Sequence, residues 1–330
     1  MKILITGGAG FIGSNFIYYL HDKYPEYEIV CLDILSYAAN IKTLKPLFEK
    51  SNFKFIKGDI RDRDLINSLF AEENFDLVVN FAAESHVDRS IDDPSIFLET
   101  NILGTQNLMD AVLKYDVARF HQISTDEVYG ELPLQKNGIK FSEKSPLSTS
   151  SPYSASKASA DLLVEAYQKT YGLKAVISRS GNNFGPYQHP EKLIPLMITK
   201  ALNNKKLPLY GKGENIRDWI HVDDHSAALD KIIHYGQNGE IYNIGAQNEK
   251  SNLEVVNLIL EIMEKPKDLI TFVEDRPGHD LRYALNTDKI MSELDWKPKT
   301  SFEKGIEDTI EWYLENKEWW QNMLNDDHKK

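Results

Sequence analysis

The chain has 330 residues, of which 42% are hydrophobic and 27% charged, and its formal net charge is −12. This length and apolar content allow one large core or two lobes, and the negative charge argues against non-specific binding to nucleic acid. No apolar stretch approaches the roughly 20 residues that span a bilayer. A strand pattern that begins at Lys2 leaves no room for a signal peptide, so we expect the protein in the cytoplasm. The single cysteine, Cys31, is expected to be a small core residue rather than a nucleophile.

The N-terminus has the pattern of a dinucleotide-binding unit. The apolar run Lys2–Thr6 predicts a strand, the glycine-rich segment 7–13 predicts a tight turn, and a helical pattern follows at once. This order places free backbone N–H groups and a positive helix end where a pyrophosphate can bind. Asp33 ends the next predicted strand, 29–32, where its carboxylate would accept hydrogen bonds from ribose hydroxyls and repel a 2′-phosphate, which favours NAD over NADP. The three fingerprint glycines are Gly7, Gly10 and Gly13.

Strands and helices alternate through the first half of the chain. This alternation predicts a doubly wound parallel sheet of the Rossmann type with right-handed crossovers. Ligands of such sheets bind at the carboxyl ends of the strands, where the loops 58–60, 81–84 and 124–127 are expected to meet. Asp59 in the first of these loops suits either a turn or helix N-cap, or a contact with the adenine end of the cofactor. Further strands are predicted at Phe53–Lys57, 77–81, 120–124 and 175–178, and helices at 62–70 and 101–115.

Beyond about Arg179 the pattern changes to segments punctuated by proline and glycine. We expect a smaller mixed α/β lobe that covers the crevice and binds the substrate. The predicted division is residues 1–180 for the NAD-binding domain with the catalytic residues, and 181–330 for the substrate lobe, with some elements returning to the first domain. Helices are predicted at 192–202, 224–235 and 252–263, and a C-terminal helix docked by Trp319 and Trp320.

Two groups of residues point to catalysis. Tyr153 and Lys157 are four residues apart and share one helix face, so an ammonium can lie beside a phenol and favour its ionised form. Thr125, Asp126 and Glu127 follow a predicted strand. Removing a hydride from an alcohol needs one base, whereas two additional carboxyl groups indicate a second proton transfer and hence elimination of water. Taken alone, the acid pair would equally suit a solvated loop with an acidic N-cap.

These motifs carry a resemblance. The glycine turn, the Tyr-x-x-x-Lys pair and their order make the chain similar to the extended short-chain dehydrogenase/reductase family along nearly its whole length. Within that family it resembles the dTDP-glucose 4,6-dehydratases. The segments that carry this second resemblance are 125–127, 82–90, 182–188, 213–219 and 276–280. The resemblance implies a tightly held NAD, a homodimer formed through a helix bundle, and conversion of dTDP-glucose into dTDP-4-dehydro-6-deoxy-glucose for deoxysugar pathways such as rhamnose synthesis.

The resemblance also implies a mechanism. Tyr153, with its pKa lowered by Lys157 and the nicotinamide charge, takes the proton from the sugar O4 while a hydride leaves C4 for NAD. Glu127 then removes the C5 proton, and protonated Asp126 gives its proton to the departing O6. The hydride returns to C6 and a proton to C5. Thr125 hydrogen-bonds at O4, and Lys157 also binds the nicotinamide ribose.

The remaining site residues follow from the same resemblance. The cofactor residues are Gly7, Gly10, Phe11, Ile12, Gly13, Asp33, Ser36, Asp59, Ile60, Phe81, Ala82, Ala83, Thr100, Tyr153, Lys157 and Asn183. The substrate residues are Ser85, Thr125, Asn182, Glu191, Lys192, Leu193, Pro208, Tyr210, Arg217, Asn252, Arg276 and His279, with the two arginines suited to a diphosphate. No metal site is expected, because His221 and His225 lack the surrounding pattern of a zinc motif and are assigned surface or core positions.

Three alternative functions compete with the one that the resemblance implies. A nucleotide-sugar 4-epimerase would share the glycine turn, Tyr153 and Lys157 but has no need of Asp126 and Glu127. A GDP-mannose or UDP-sugar 4,6-dehydratase is nearer, although such relatives tend to lack the middle acid of the triplet. A non-catalytic NAD-sensing protein would be expected to lose Tyr153 or the acids, and this chain keeps them.

Overall fold

The fold is built on a parallel sheet whose strands alternate with helices along the chain. The computed structural model describes residues 1–135, 138–275 and 277–327. For residues 325–327 it describes the backbone alone. The strands are β1 (Lys2–Thr6), β2 (Glu28–Asp33), β3 (Phe53–Lys57), β4 (Leu77–Asn80), β5 (Arg119–Thr125), β6 (Ala175–Ser180), β7 (Asn182–Phe184), β8 (Leu207–Tyr210), β9 (Ile216–His221), β10 (Ile241–Ile244), β11 (Glu249–Ser251) and β12 (Ile270–Val273).

Helices connect these strands and cover both faces of the sheet. The α-helices are α1 (Phe11–Lys23), α2 (Ile41–Leu44), α3 (Arg63–Glu73), α4 (Val87–Asp92), α5 (Ser95–Leu98), α6 (Thr105–Lys114), α7 (Pro152–Tyr171), α8 (Leu193–Leu202), α9 (Val222–Tyr235), α10 (Asn252–Ile262), α11 (Asp288–Leu294), α12 (Phe302–Glu315) and α13 (Lys317–Asp327). Short 3-10 helices lie at Lys45–Leu47, Asp126–Tyr129 and Lys267–Leu269, and a π-helical turn at Glu99–Gly104. Among the residues described, no helix is both long and apolar enough to cross a membrane.

The main sheet has seven parallel strands in the order β10-β6-β5-β4-β1-β2-β3. The strand order reverses between β1 and β4, which are neighbours, and the carboxyl ends of strands at such a reversal form the usual ligand crevice. The predicted doubly wound sheet is therefore confirmed. Sequence patterns did not predict β10, which comes from beyond residue 180 and completes the sheet at its edge.

Apolar clusters fill both sides of this sheet. One side packs α1 and α9 through residues such as Phe16 and Leu229, and the other packs α3, α6 and α7 through residues such as Met109 and Val164. Cys31 is fully buried in the first cluster, as its strand pattern predicts. Continuous burial of the strands on both faces explains why they read as apolar runs rather than as alternating patterns.

The smaller lobe is built from helices packed on short sheets. One sheet has the order β11-β9-β7, and β8 pairs with β12 in a second. Helices α8, α10 and α12 share a core with Trp219 and Phe302. The predicted docking of the C-terminal helix by its aromatic residues is confirmed, because the indole N–H groups of Trp319 and Trp320 donate to Thr43 Oγ1 at 3.0 Å and to the Tyr313 carbonyl at 2.9 Å.

One predicted helix differs from the structure. The segment 101–115 was expected to be a single α-helix, but its first turn belongs to the π-helical segment Glu99–Gly104. Within this wider turn the Asn101 side chain accepts a hydrogen bond from the Glu84 N–H at 2.8 Å and donates to the Glu84 carbonyl at 3.0 Å. The turn thereby fixes the loop that follows β4, a tertiary contact that helical periodicity does not reveal.

Candidate active site

A cavity of about 370 Å³ opens along the carboxyl edge of the main sheet, above β1 and β4. It is lined by the glycine turn, by the loops after β2 to β5, and by the first turns of α7. Every residue that the sequence predicts to hold the cofactor lines this cavity. They are Gly7, Gly10, Phe11, Ile12, Gly13, Asp33, Ser36, Asp59, Ile60, Phe81, Ala82, Ala83, Thr100, Tyr153, Lys157 and Asn183.

The glycine turn is shaped for close approach of a ligand. Gly7 has a φ of +67°, and an added Cβ would lie 2.6 Å from the Ala82 nitrogen, so only glycine fits. An added Cβ on Gly13 would lie 2.5 Å from the Gly7 carbonyl oxygen. Helix α1 begins beyond Gly10 without a side-chain cap and without an acidic residue in its first turn. Its first N–H groups and positive end are therefore directed at the cavity, as an anionic group requires.

Asp33 lies buried at the end of β2, beside the glycine turn. Its carboxylate accepts hydrogen bonds from the Ala9 N–H at 2.9 Å and the Leu35 N–H at 2.7 Å. Burial raises the pKa of Asp33, while these two backbone donors oppose the rise. The backbone thus holds the acid in place at the cavity wall.

Asp59 also lines the cavity, but it does not cap the following helix. The N-cap of α3 is Asp62, and Asp59 instead accepts hydrogen bonds from the backbone and side chain of Arg61, both at 2.8 Å. The helix N-cap is therefore excluded, and the other two roles that the sequence left open, a turn and a contact with the adenine end of the cofactor, both stay predictions.

The acid pair lies in the 3-10 turn that follows β5. Thr125 caps this turn by accepting a hydrogen bond from the Glu127 N–H at 3.3 Å. Asp126 is only 2% exposed, and its Oδ2 has no hydrogen-bond partner among the described residues. Burial raises the pKa of Asp126 well above its usual range, the charge of Glu127 raises it further, and Arg217 opposes the rise. A raised pKa favours the protonated form of this carboxyl group, which is the form that can act as an acid.

Tyr153 and Lys157 lie in the first turns of α7, which begins with a capping box between Ser151 and Ser154. The Lys157 ammonium donates to the Ile123 carbonyl of β5 at 2.7 Å. Burial lowers the pKa of Lys157 to about 8, although the charge of Asp161 acts in the opposite direction.

The pKa of Tyr153 departs from the sequence-based expectation. Burial raises the pKa of this phenol above its ordinary value, and the charges of Glu127 and Asp126 raise it further, while a hydrogen bond with Thr125 lowers it. The lowered pKa predicted from Lys157 is therefore wrong for the chain by itself. The reason is that the phenol is buried and that two carboxyl groups lie near it in the folded structure, and helical spacing alone reveals neither.

The predicted substrate residues fall into two sets. Ser85, Thr125, Asn182 and Lys192 line the cavity together with the cofactor residues. A second set lies outside the cavity lining, mostly on the smaller lobe: Glu191, Leu193, Pro208, Tyr210, Arg217, Asn252 and His279. Arg276 lies outside the described residues. Asp126 and Glu127 are likewise absent from the cavity lining, but their charges act on the buried Tyr153.

Arg217 connects the smaller lobe to the acid pair. It lies on β9, is 6% exposed, and its guanidinium stacks 4.3 Å from the centre of the Tyr283 ring. It donates to the Asp280 carbonyl at 2.9 Å, and its charge lowers the pKa of Asp126. A second contact in this lobe brings the Tyr210 and His279 rings to 6.0 Å. The lobe thus places a buried cation close enough to act on Asp126.

Comparison with known proteins agrees with this geometry. The family described as GDP-mannose 4,6 dehydratase matches residues 4–309. The chain belongs to this family. It is similar to Agl12, a low-salt glycan biosynthesis protein of Haloferax volcanii, with 52% identity over 95% of this chain and 99% of the relative. It is 47% identical to a dTDP-glucose 4,6-dehydratase of Neisseria meningitidis, over 99% of this chain and 97% of that protein.

A solved structure extends the comparison. The dTDP-glucose 4,6-dehydratase of Bacillus anthracis in complex with NAD superposes with a TM-score of 0.91 and is 48% identical, covering 98% of this chain and 99% of that one. A dTDP-glucose 4,6-dehydratase in complex with NAD thus has the same fold as this chain.

Several cavity residues of this family member were missed by sequence reasoning. Gln188 and His189 line the cavity, and burial lowers the pKa of His189 to about 4. Gly181 also lines it, and an added Cβ there would lie 2.6 Å from the Asp218 carbonyl oxygen. The available signal was the segment 182–188, which follows a buried strand: Gln188 is its last residue, and Gly181 and His189 lie on either side of it.

The histidines in the described part of the chain form no metal centre. Within the described ranges, no group of three or more His, Cys, Asp or Glu side chains is arranged to hold a metal ion. His221 and His225 are both buried, and His225 Nδ1 lies 2.7 Å from the Asn183 side-chain oxygen. Burial lowers the pKa of His225 to about 3, so this ring is neutral and donates from Nδ1. Of the surface or core positions that the sequence left open for these two histidines, the structure shows the core for both.

Proposed function

We propose that this chain is a dTDP-glucose 4,6-dehydratase, which converts dTDP-glucose into dTDP-4-dehydro-6-deoxy-glucose and water. The observation that carries the proposal is the pair formed by Asp126 and Glu127 beside Tyr153: Asp126 is buried with a raised pKa, and both acids act electrostatically on the phenol. A simple oxidation or epimerisation uses one base, whereas elimination of water uses an acid and a base. The two relatives that bear this enzyme name support the substrate.

The cavity fits NAD as its resident cofactor. The glycine turn leaves no room for a Cβ at Gly7, the N-terminus of α1 suits a pyrophosphate, and Asp33 suits ribose hydroxyls and disfavours a 2′-phosphate. When bound, NAD would accept a hydride from the sugar C4 and later return it to C6. Lys157, which also lines the cavity, suits the hydroxyls of the second ribose.

Tyr153 serves as the base for the first step. Its phenolic oxygen takes the proton of the sugar O4, and the Thr125 hydroxyl hydrogen-bonds beside it. Because burial and two carboxyl groups raise the pKa of Tyr153, formation of the phenolate requires positive charge nearby. Lys157 is the buried cation one turn further along the same helix, and its Nζ is held by the Ile123 carbonyl.

The acid pair then carries out the elimination. Once C4 is a ketone, the C5–H bond is acidic, and Glu127 takes this proton while the electron pair forms the C5–C6 double bond. The C6–O6 bond breaks, and Asp126 donates its proton to O6, so that water leaves. C6 then receives a hydride, and C5 receives a proton from Glu127. The site returns to its starting state when Tyr153 releases the O4 proton and Asp126 is reprotonated, so that the complete cycle neither consumes nor releases a proton.

The smaller lobe supplies the contacts to the nucleotide sugar. Arg217 is suited to the diphosphate, because its planar fork can donate two hydrogen bonds to phosphate oxygens. The other proposed substrate residues complete the site for sugar, diphosphate and thymidine. Ser85 comes from the first domain, and the rest come from the smaller lobe: Asn182, Glu191, Lys192, Leu193, Pro208, Tyr210, Asn252, Arg276 and His279. In this division residues 1–180 form the NAD-binding domain and 181–330 the substrate lobe, except that β10 joins the main sheet.

Epimerase and other dehydratase activities are the competing functions. A 4-epimerase has no use for a protonated Asp126, whereas a dehydratase acting on GDP-mannose or a UDP-sugar would use the same acids. The proposed product would feed deoxysugar synthesis of the rhamnose type, and the glycan biosynthesis named for Agl12 is compatible with that role.

Incubation of purified protein with dTDP-glucose, UDP-glucose and GDP-mannose in parallel tests the proposal. A 4-keto-6-deoxy product from dTDP-glucose alone is expected, and faster conversion of either other sugar would contradict it.

We also propose that the chain forms a homodimer. Leu98, Leu103 and Leu162 are 47%, 53% and 55% exposed, and they lie on α5, the π-helical turn and α7, which pack against one another. A second copy of the chain would cover these side chains by a helix bundle. Leu162→Glu should convert a dimer into a monomer in sedimentation experiments, whereas Tyr235→Glu, at an exposed position on α9, should not. A monomeric wild-type protein would refute this assembly.

A further inference from the structure

The described residues include a buried ion pair that the reaction itself does not use. Asp161 on α7 and Arg179 on β6 are 0% and 1% exposed, and Arg179 Nε donates to Asp161 Oδ2 at 2.9 Å. Burial raises the pKa of Asp161, and the charges of Arg179 and Lys157 oppose that rise. A buried ion pair contributes little net stability compared with apolar residues of the same size. Its position directly behind the catalytic residues therefore calls for another explanation.

Two residues of α7 hold two consecutive residues of β5. Lys157 Nζ donates to the Ile123 carbonyl at 2.7 Å, and Asp161, one helical turn later, accepts from the Ser124 hydroxyl at 2.9 Å. The catalytic triplet begins at the next residue, Thr125. These contacts set the distance between the helix that carries Tyr153 and the strand end that carries the acids.

Arg179 holds the other end of the catalytic turn. It lies opposite Ser124 in the register of β5 and β6. Its guanidinium donates to the Tyr129 hydroxyl at 3.0 Å and lies 4.9 Å from the centre of the Tyr129 ring. Tyr129 is the last residue of the 3-10 turn that contains Asp126 and Glu127. The Tyr129 hydroxyl in turn donates to the Asn243 side-chain oxygen at 2.8 Å.

We propose that Asp161 and Arg179 are positioning residues, which align the acid pair with the helix that carries Tyr153 and Lys157. The turn of residues 126–129 is held at its start through Ser124 and at its end through Tyr129, and both contacts converge on one ion pair. The reaction needs the two proton-transfer groups and the O4 base at fixed distances from one sugar, and a shift of about 1 Å can cost roughly a hundredfold in rate. This inference rests on the proposed function for its kinetic test.

The test compares Asp161→Asn and Tyr129→Phe with a matched control, Asp230→Asn. Asp230 is also a buried acid, paired with Lys23 at 2.6 Å, but it lies on α9 away from the cavity lining. We expect kcat to fall by roughly tenfold or more in Asp161→Asn and by about threefold in Tyr129→Phe, with KM and bound NAD unchanged. The control should lose stability and keep its kcat. A raised KM at normal kcat, or an equal loss of kcat in the control, would overturn the positioning role.

A second measurement does not depend on turnover. Hydrogen exchange of the backbone amides in residues 126–130 should accelerate by roughly tenfold in Asp161→Asn, while the control leaves this segment unchanged. Unaltered exchange together with unaltered kcat in Asp161→Asn would refute the inference. If Asp161→Asn does not fold, the same two measurements on Tyr129→Phe test it. If the wild type fails to convert dTDP-glucose, the proposed function fails, while the exchange comparison still decides whether the ion pair holds the turn.

Discussion

Removal of either acid should separate oxidation from elimination. Asp126→Asn keeps the shape and neutrality of the protonated acid, so folding and binding should change little, but it removes the proton that O6 requires. Glu127→Gln removes the base for C5. General acid or base catalysis contributes roughly 10²- to 10⁴-fold, which corresponds to about 3 to 5 kcal/mol of barrier. We therefore expect each variant to form product at least about a hundredfold more slowly than the wild type.

The structure also predicts how the two acids depend on each other. The pKa of Asp126 is raised by burial and then by the charge of Glu127. Glu127→Gln should therefore lower the pKa of Asp126, and any remaining activity should be lost at a lower pH on the alkaline side of its pH profile than in the wild type. The protonated form of Asp126 is the active one, so activity falls as the pH rises through this pKa.

Single-turnover absorbance with dTDP-glucose measures both steps. In both acid variants reduced nicotinamide should accumulate, because oxidation at C4 proceeds and elimination stalls. Tyr153→Phe is the control that should stop the reaction before any reduced nicotinamide forms, since the O4 proton has no acceptor. Near-normal product formation by both acid variants would refute the assignment. Equal loss of the first step in all three variants would show that the carboxyl groups position the sugar rather than transfer protons.

Three other outcomes follow from the structure. Purified protein should retain NAD and turn over without added cofactor, and recovery of NADP alone after denaturation would contradict the assignment of Asp33. Gly13→Ala should lose bound NAD, because the new Cβ would lie 2.5 Å from the Gly7 carbonyl oxygen; unchanged NAD content would show that the turn can widen. Burial lowers the pKa of both His121 and His225 from 6.5 to about 3. The unfolded chain therefore binds more protons in this range, and the free energy of unfolding should fall as the pH drops from about 6.5 towards 3, less steeply in His225→Gln in denaturant titrations.

Much of the fold could be predicted because its signals are local. The strand Lys2–Thr6, the glycine turn and the acid at Asp33 lie within one βαβ unit, and their order alone indicates a dinucleotide site. The six predicted strands of the main sheet agree with the structure to within two residues at each end. The seventh, β10, comes from a segment surrounded by the smaller lobe's elements, and only tertiary pairing with β6 assigns it to the main sheet.

The cofactor site was predictable for the same reason, and the electrostatics of catalysis were not. Helical spacing predicted that Tyr153 and Lys157 share a face, but the raised pKa of Tyr153 depends on burial and on carboxyl groups more than twenty residues away in sequence. The protonation of Asp126 likewise depends on how deeply the turn after β5 is buried and on the approach of Arg217 from the smaller lobe.

The sequence by itself determined which chemical groups are available and which strand ends carry them, because glycine turns, helical periodicity and acid pairs are local patterns. Only the tertiary structure decided which of these groups meet. No sequence pattern assigns a role in the site to Asp161 or Arg179, yet folding brings them together between α7, β5 and β6. Desolvation and pairing of charges depend on the complete packed environment, and that environment is assembled from segments far apart in the chain.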